Sequence, residues 1–350
     1  MKHKLGIIGY GTMGSWHAEN VRDRIEDLDV ALVYDINEEK TKKASADGFN
    51  TCNSAEELFA SDVDLVLVAT PNNFHKDYCI KAMRSGKNVI SEKPACLTLE
   101  ELDEVIAVSK ECGKLFTVHQ NRRWDVDYAI VKNILNQNLV GKPYQIYSRL
   151  FSNRNIPGDW RTLKESGGGF LYDWGVHMID QVLCLVDRKP ISVYAQLKKI
   201  YQPEVDDSVR ININFEGGLS AHIIADSWTF INEARWHISG DDGTAIVNEW
   251  FKTEGKIIKA NVKQVDWTQG CVYTSNGLSR SMWPRPQKEI SELPLPVQNP
   301  EPRWEEFYEN VLETIEGKAQ AIVTHDQIRM SLKVILAGFE SAEKDCVVKL

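Results

Sequence analysis

The sequence predicts an α/β protein in two parts: a parallel sheet flanked by helices, then an α+β region built on an open, mostly antiparallel sheet. Three observations predict it. Over the first 120 residues, short β-type runs alternate with helical stretches, the pattern of a parallel sheet with helices on both faces. After Asn121, strand-like runs follow one another across short turns such as Glu216-Gly217-Gly218 and Asp241-Asp242-Gly243, which pairs neighbours antiparallel. A chain of 350 residues with 43% hydrophobic content is long enough to bury two cores.

The elements follow in order. Leu5-Gly6-Ile7-Ile8-Gly9 lies in the first strand-like run, Lys4–Gly9. Further strands are expected at Val30–Tyr34, Leu65–Ala69, Asn88–Ser91 and Leu115–His119. Helices fall between them at Ser15–Arg24, Glu38–Ala46, His75–Ser85 and Leu99–Cys112. The pattern then changes, which places a domain boundary at 121 and gives domains 1–121 and 122–350. The second begins with a helix at Val126–Asn136 and a strand at Tyr144–Phe151. A loop, Ser152–Gly169, leads to a helix around residue 175. Strands are expected at Ile191–Lys199, Val209–Phe215, Leu219–Ala225, Arg235–Ser239, Ala245–Asn248 and Ile257–Val262. A proline-rich loop, Trp283–Pro302, precedes helices at Trp304–Glu316 and His325–Lys344. Trp267–Trp283 has no clear period and reads as a loop over a site or as a subunit contact.

Composition excludes several classes. The net charge is −9 and no basic stripe appears, which argues against nucleic-acid or membrane-surface binding. The seven cysteines are scattered without a C-x-x-C pair, so neither a structural zinc site nor a disulfide framework is expected, and no metal is. No secretory or membrane-spanning apolar run is present, and the expected location is cytoplasmic.

The first chemical motif is Gly9-Tyr10-Gly11-Thr12-Met13-Gly14, a G-x-G-x-x-G between a hydrophobic strand and a helix. Gly9 permits the tight turn, Gly11 lets a pyrophosphate approach the backbone, and Gly14 allows close helix–strand packing. Asp35 ends the second strand, 21 residues after Gly14, where a carboxylate accepts from adenosine ribose hydroxyls; a cap on the next helix is the blander role. Thr70-Pro71-Asn72 with His75, and Glu92-Lys93-Pro94, follow the third and fourth strands. Ligands of open α/β sheets bind at those carboxyl ends. Lys93 there can hold a nicotinamide ribose and reach a substrate, although a surface lysine opening a helix fits the same pattern.

The second motif is Asp173-Trp174-Gly175-Val176-His177 with Asp180. Residues four apart share a helix face, and a carboxylate beside an imidazole fixes its tautomer and raises its basicity. The spacing also suits a solvated or structural pair. Asp180 extends the same face in a structural role. His119 reads as a packed core histidine, while His3, His222, His237 and His325 have no partner motif. Trp124 and Trp160 are placed near a substrate, because flat rings stack on sugar faces.

Together, Gly9–Gly14, Thr70-Pro71-Asn72, Glu92-Lys93-Pro94, Asn121-Arg122-Arg123-Trp124 and Asp173-x-Gly175-x-His177-x-x-Asp180 resemble the glucose–fructose oxidoreductase/inositol dehydrogenase/MocA family of NAD(P)-dependent sugar dehydrogenases, over nearly the whole chain. The resemblance implies an N-terminal Rossmann domain and a C-terminal sheet with helices on one face and an oligomer interface on the other. It implies that Lys93 contacts nicotinamide ribose and substrate, that Asp173 and His177 are a catalytic pair, and that Trp160-Arg161 touches the cofactor. The Asn121–Trp124 run is similar to that of scyllo-inositol dehydrogenase-like members, with Asn121 toward the cofactor and Arg122 and Trp124 toward substrate. Such relatives often use NADP, whereas Asp35 suits NAD. The expected reaction is oxidation of a secondary hydroxyl of a sugar, inositol or glycoside by hydride transfer to nicotinamide. The alternatives are an inactive dinucleotide-binding sensor of the same fold, or another Rossmann reductase. Lys93, Asp173 and His177 together speak for an enzyme. Cover for the second face of the sheet points to a homodimer or homotetramer.

Overall fold

A computed structural model of the chain describes residues 2–261, 271–280 and 287–350, so both ends of the Trp267–Trp283 segment lie outside the described residues. The N-terminal part contains β1 (His3–Ile8), α1 (Thr12–Arg24), β2 (Leu28–Tyr34), α2 (Glu38–Ala46), α3 (Ala55–Ala60), β3 (Leu65–Val68), α4 (His75–Arg84), β4 (Asn88–Ser91), α5 (Leu99–Cys112) and β5 (Phe116–Val118). Its five strands are parallel in the order β2-β1-β3-β4-β5. Every residue of β3 is buried, as expected for a strand covered on both faces. Strand order reverses between β1 and β3, and such a switch point opens a crevice at the carboxyl ends. The sequence reading missed α3, a six-residue helix whose cap Ser54 accepts from the Glu57 amide.

The C-terminal part contains α6 (Val126–Asn136), β6 (Pro143–Phe151), α7 (Val176–Leu185), β7 (Pro190–Lys198), β8 (Ser208–Phe215), β9 (Ser220–Asp226), β10 (Trp236–Gly240), β11 (Gly243–Val247), β12 (Gly255–Ala260), β13 (Cys271–Thr274), β14 (Gly277–Arg280), β15 (Ile290–Leu293), α8 (Glu305–Ile315), α9 (His325–Lys344) and β16 (Val348–Lys349). Its large sheet runs β15-β12-β11-β10-β6-β9-β8-β7-β16. Neighbours pair antiparallel except β6 and β9, which are parallel. Helices α6, α7 and α9 pack against it. Strand β15 forms inside the stretch expected to be a proline-rich loop, because Ile290–Leu293 pairs with β12.

Alternation decides which face is core. In β8, Val209, Ile211, Ile213 and Phe215 are buried while Arg210, Asn212 and Asn214 point away. The open face carries Tyr147, Arg149, His222 and His237 beside Ile224 and Ile246, so it mixes polar and apolar groups. The chain also returns to its first part near its end. Tyr308 of α8 reaches His17 of α1, and Thr117 of β5 donates to the Val323 carbonyl at 3.1 Å.

Candidate active site

The crevice at the β1/β3 switch point is a cleft of about 420 Å³. Gly9, Gly11, Thr12, Met13, Asp35, Thr70, Pro71, Asn72, Glu92, Lys93, Trp160, Arg161 and Asp173 line it, all expected from the sequence. Tyr34, Ile36, Lys40, Tyr78, Asp159 and Tyr172 line it without having been expected. Gly9 has φ +95°, and a Cβ there would lie 2.6 Å from the Ala69 carbonyl oxygen. A Cβ on Gly14 would lie 1.9 Å from the Gly9 oxygen, whereas one on Gly11 would meet nothing within 4 Å. Gly11 therefore leaves its space for a ligand, in front of the uncapped N-terminus of α1. Asp35 is held by two backbone amides, Tyr10 to Oδ2 at 2.6 Å and Asn37 to Oδ1 at 2.8 Å. Beside it Ile36 is 85% exposed, an apolar surface for a ring to cover. Open amides, a gap at Gly11, a fixed carboxylate and an apolar shelf fit a dinucleotide.

Lys93 stands at the inner end of the cleft. Its Nζ donates to Asp173 twice, to Oδ1 at 2.8 Å and to the backbone oxygen at 2.7 Å. The Arg161 Nε lies 3.7 Å from the same Oδ1 and its Nη1 donates to Asp159 at 2.7 Å. Burial works against the charge on Asp173, but Lys93 and Arg161 outweigh it and hold the carboxyl below the usual range.

Glu92 lies behind Lys93 and is buried. Its Oε1 accepts from His17 Nε2 at 2.8 Å and His119 Nδ1 at 2.9 Å, and its Oε2 accepts from the Lys93 amide at 3.1 Å. The Tyr308 hydroxyl donates to His17 Nδ1 at 2.6 Å. Burial opposes Glu92's charge, yet hydrogen bonds from His119 and His17 hold its carboxyl well below the ordinary value. Burial, with the neighbouring His119, lowers His17 to about 4. Two imidazoles and a carboxylate within 4.8 Å make the donor set of a metal site. The 2.8 and 2.9 Å contacts are shorter than the ~3.3 Å edge between donors on a tetrahedral zinc. The cluster is therefore a hydrogen-bonded network that clamps the Lys93 backbone, and it leaves His119 Nε2 buried without a hydrogen-bond partner among the described residues.

Asp173 and His177 do not form the expected pair. Residues Leu171–Gly175 form a π-helical turn ahead of α7, which breaks the 3.6-residue spacing and sends the Asp173 carboxylate to Lys93. His177, 6% exposed, makes no hydrogen bond among the described residues, and its Nδ1 is buried without a partner. Burial first, then the charges of Lys93 and Arg122, push its pKa well below the ordinary value.

Three other expected residues do not line the cleft. His75 is buried with Nδ1 2.8 Å from the Pro94 carbonyl and Nε2 2.9 Å from that of Thr70, so neither nitrogen faces a cofactor. Trp124 turns to α8, donating to Glu306 at 3.0 Å and packing on Phe307. Asn121 is not among the cleft-lining residues. Asp180 takes Arg123 in a bidentate pair at 2.7 Å, a structural role as expected. His119 is in the core as expected, though bonded to Glu92. The sequence reading overlooked Trp250 and Phe251, on the hairpin between β11 and β12. Their rings flank the Arg122 guanidinium at 5.3 and 5.4 Å. Two adjacent aromatics in the polar run Asn248-Glu249-Trp250-Phe251-Lys252 were the available signal.

Comparisons with known proteins agree with this geometry. Residues 3–120 match the family model of the GFO/IDH/MocA oxidoreductase family, NAD-binding Rossmann fold, and residues 128–246 match the GFO/IDH/MocA C-terminal domain. A solved NAD-binding protein from Listeria innocua is 37% identical, with a TM-score of 0.92 over 100% of this chain and 99% of that one. The scyllo-inositol 2-dehydrogenase (NADP(+)) of Bacillus subtilis is 25% identical over 99% of this chain and 96% of its own. The myo-inositol 2-dehydrogenase of Thermotoga maritima is 26% identical over 75% of this chain and 76% of its own. No helix among the described residues is long and apolar enough to cross a membrane.

Proposed function

The chain belongs to the GFO/IDH/MocA oxidoreductase family, and from that premise we propose that it oxidises a secondary hydroxyl of a sugar, inositol or glycoside to a ketone. It is an NAD(P)-dependent oxidoreductase by family. The observation that carries the finer reading is Lys93, ion-paired to Asp173 at 2.8 Å where the dinucleotide cleft meets the C-terminal part. A nicotinamide bound in the cleft would supply the acceptor for a hydride.

The chain's own groups do the rest. Two Lys93 N–H groups are spent on Asp173, and the third remains for a substrate oxygen, where the ammonium offsets developing negative charge. His177 is neutral at ordinary pH and accepts the hydroxyl hydrogen. Asp173 fixes Lys93 rather than His177. The Glu92 network fixes the Lys93 backbone from behind. NAD is the preferred dinucleotide in this reading, because the Asp35 charge repels a 2′-phosphate. The protein acts as a homodimer or homotetramer through the open sheet face, in the cytoplasm.

The test is a spectroscopic screen for reduced dinucleotide across inositols, sugars and glycosides, with NAD and with NADP. Turnover of a polyol by wild type and its loss in Lys93→Met is the expected result. A wild type that binds dinucleotide and turns over no member of the set would remove the reading.

A further inference from the structure

Three arginines surround α7, and they are not equally satisfied. Arg123 gives Nε and Nη2 to Asp180 at 2.7 Å each, and Nη1 to Gln327 at 2.9 Å and the Ile322 carbonyl at 3.1 Å. Arg235 gives Nη1 to Ser148 at 2.6 Å and Nη2 to Gln181 at 2.7 Å, and its Nε, which makes no hydrogen bond among the described residues, is ion-paired with Asp127 at 3.2 Å. Arg122 has one polar side-chain contact among the described residues, Nη1 to Asp125 Oδ1 at 3.5 Å. Its Nε is buried with no hydrogen-bond partner among the described residues, although 22% of the side chain is exposed.

The counter-charge Arg122 meets among the described residues, Asp125, is weak. Asp125 already accepts from Trp250 Nε1 at 2.8 Å through its other oxygen. Burial pushes Asp125 up to about 7, so near neutral pH it is only partly ionised.

Aromatic walls fix the guanidinium in place. The rings of Trp174, Trp250 and Phe251 lie 5.3, 5.3 and 5.4 Å from it. Ring faces attract the cation but do not take up its directed N–H groups. Phe251 keeps φ +60° at the hairpin tip and is 62% exposed, a conformation disfavoured for an aromatic residue. Arg122 also sits beside the reacting set. Trp174 spans the two, its ring 6.0 Å from that of His177. The Arg122 carbonyl accepts from Gln181, on the same helix as His177, at 2.6 Å.

We propose that Arg122, held in this aromatic cage, anchors an anionic oxygen group on the substrate, so that the enzyme acts on a polyol or sugar bearing a carboxylate or phosphate in preference to a neutral one. The inference rests on the dehydrogenase reading above. A single hydroxyl would use one N–H, whereas a guanidinium whose Nε and Nη2 make no hydrogen bond among the described residues can give two parallel N–H groups to two oxygens of one anion. The rings around it exclude water and strengthen that pairing.

The test compares kcat/KM in three arms, with NAD and with NADP: neutral (myo-inositol, glucose), carboxylate (gluconate, glucuronate) and phosphate (myo-inositol 1-phosphate, glucose 6-phosphate). Wild type should favour an anionic arm over its neutral counterpart by at least about tenfold, the size of one charge-assisted pair. Arg122→Gln should bring that ratio toward one and Arg122→Lys should restore part of it. Preference confined to one anionic arm names the group. Equal use of neutral and anionic arms by wild type overturns the inference while leaving the dehydrogenase intact. A preference unchanged in Arg122→Gln and Arg122→Lys overturns the role of Arg122. No turnover in any arm removes the dehydrogenase reading, and the inference with it.

Discussion

Gly11→Ala separates the fold of the glycine-rich loop from its use. Gly11 has φ −76°, an ordinary value for any residue, and a Cβ there meets no atom within 4 Å. The alanine should therefore leave stability within about 1 kcal/mol of wild type, with a small gain of about 0.4–1 kcal/mol from the less flexible unfolded chain. A pyrophosphate at the α1 N-terminus occupies that same space. Pushed outward by a methyl group, it loses charge-assisted contacts to backbone amides worth about 1.5–3 kcal/mol, or roughly 10–100-fold in Kd. Gly14→Ala is the contrast, because its Cβ would lie 1.9 Å from the Gly9 carbonyl oxygen, and backbone on both sides leaves no cheap escape. That variant should lose at least about 2 kcal/mol of stability. Urea unfolding reads the first quantity and titration of NADH fluorescence the second. A Gly11→Ala protein that binds NADH within about twofold of wild type, under half a kcal/mol, would refute the placement of the pyrophosphate.

Three further outcomes follow from the geometry. Wild type should bind NAD more tightly than NADP, and Asp35→Ser should narrow or reverse the difference, since Lys40 of the same cleft then faces the 2′-phosphate; competitive binding of the two dinucleotides decides this. Lys93→Met should lower turnover by more than about tenfold, and a double-mutant cycle on kcat should couple Lys93 strongly to Asp173 and leave Asp173 and His177 additive, because the ion pair runs between the first two. Stability should fall as pH drops. Folded His17 titrates at about 4, below its ordinary 6.5, so the unfolded chain takes up the proton first and stability is lost between those values, by about 1.4 kcal/mol per unit. Depressed Glu92 adds loss in the same direction at lower pH. Denaturant unfolding across this range should show a shallower slope in His17→Gln, and an unchanged slope would contradict the network.

Much of the fold was legible because backbone geometry dictates residue type there. Only glycine serves at φ +95° in Gly9, and only glycine lets α1 pass β1 at Gly14. Alternating runs located the strands, and α2, α5, α6 and α9 began and ended where the pattern implied. The start of α7 departs from the sequence expectation in one respect. Counting four residues from Asp173 to His177 presumes an α-helical turn, and a π-turn there redirects Asp173 to Lys93. His17, Glu92 and His119 come from three segments joined only by the parallel sheet, so no spacing announces them. His75 is placed by its nearness to Thr70-Pro71-Asn72, and Trp124 by the stacking of flat rings on sugar faces. In the fold, backbone carbonyls take the histidine and Glu306 takes the indole. The Trp250-Phe251 hairpin belongs to no motif, and its reach over Arg122 depends on the register of β11 with β12.

In the proposed reaction a hydride leaves a carbinol carbon held beside Lys93. The direct measurement takes the best substrate from the three-arm screen, deuterated at its carbinol carbons, and follows the isotope by mass spectrometry of the dinucleotide after reaction with wild type. Deuterium should appear on the reduced nicotinamide, formed more slowly than from unlabelled substrate and lost in Lys93→Met. Reduced dinucleotide free of deuterium, or formed equally well by Lys93→Met, would contradict the proposed reaction.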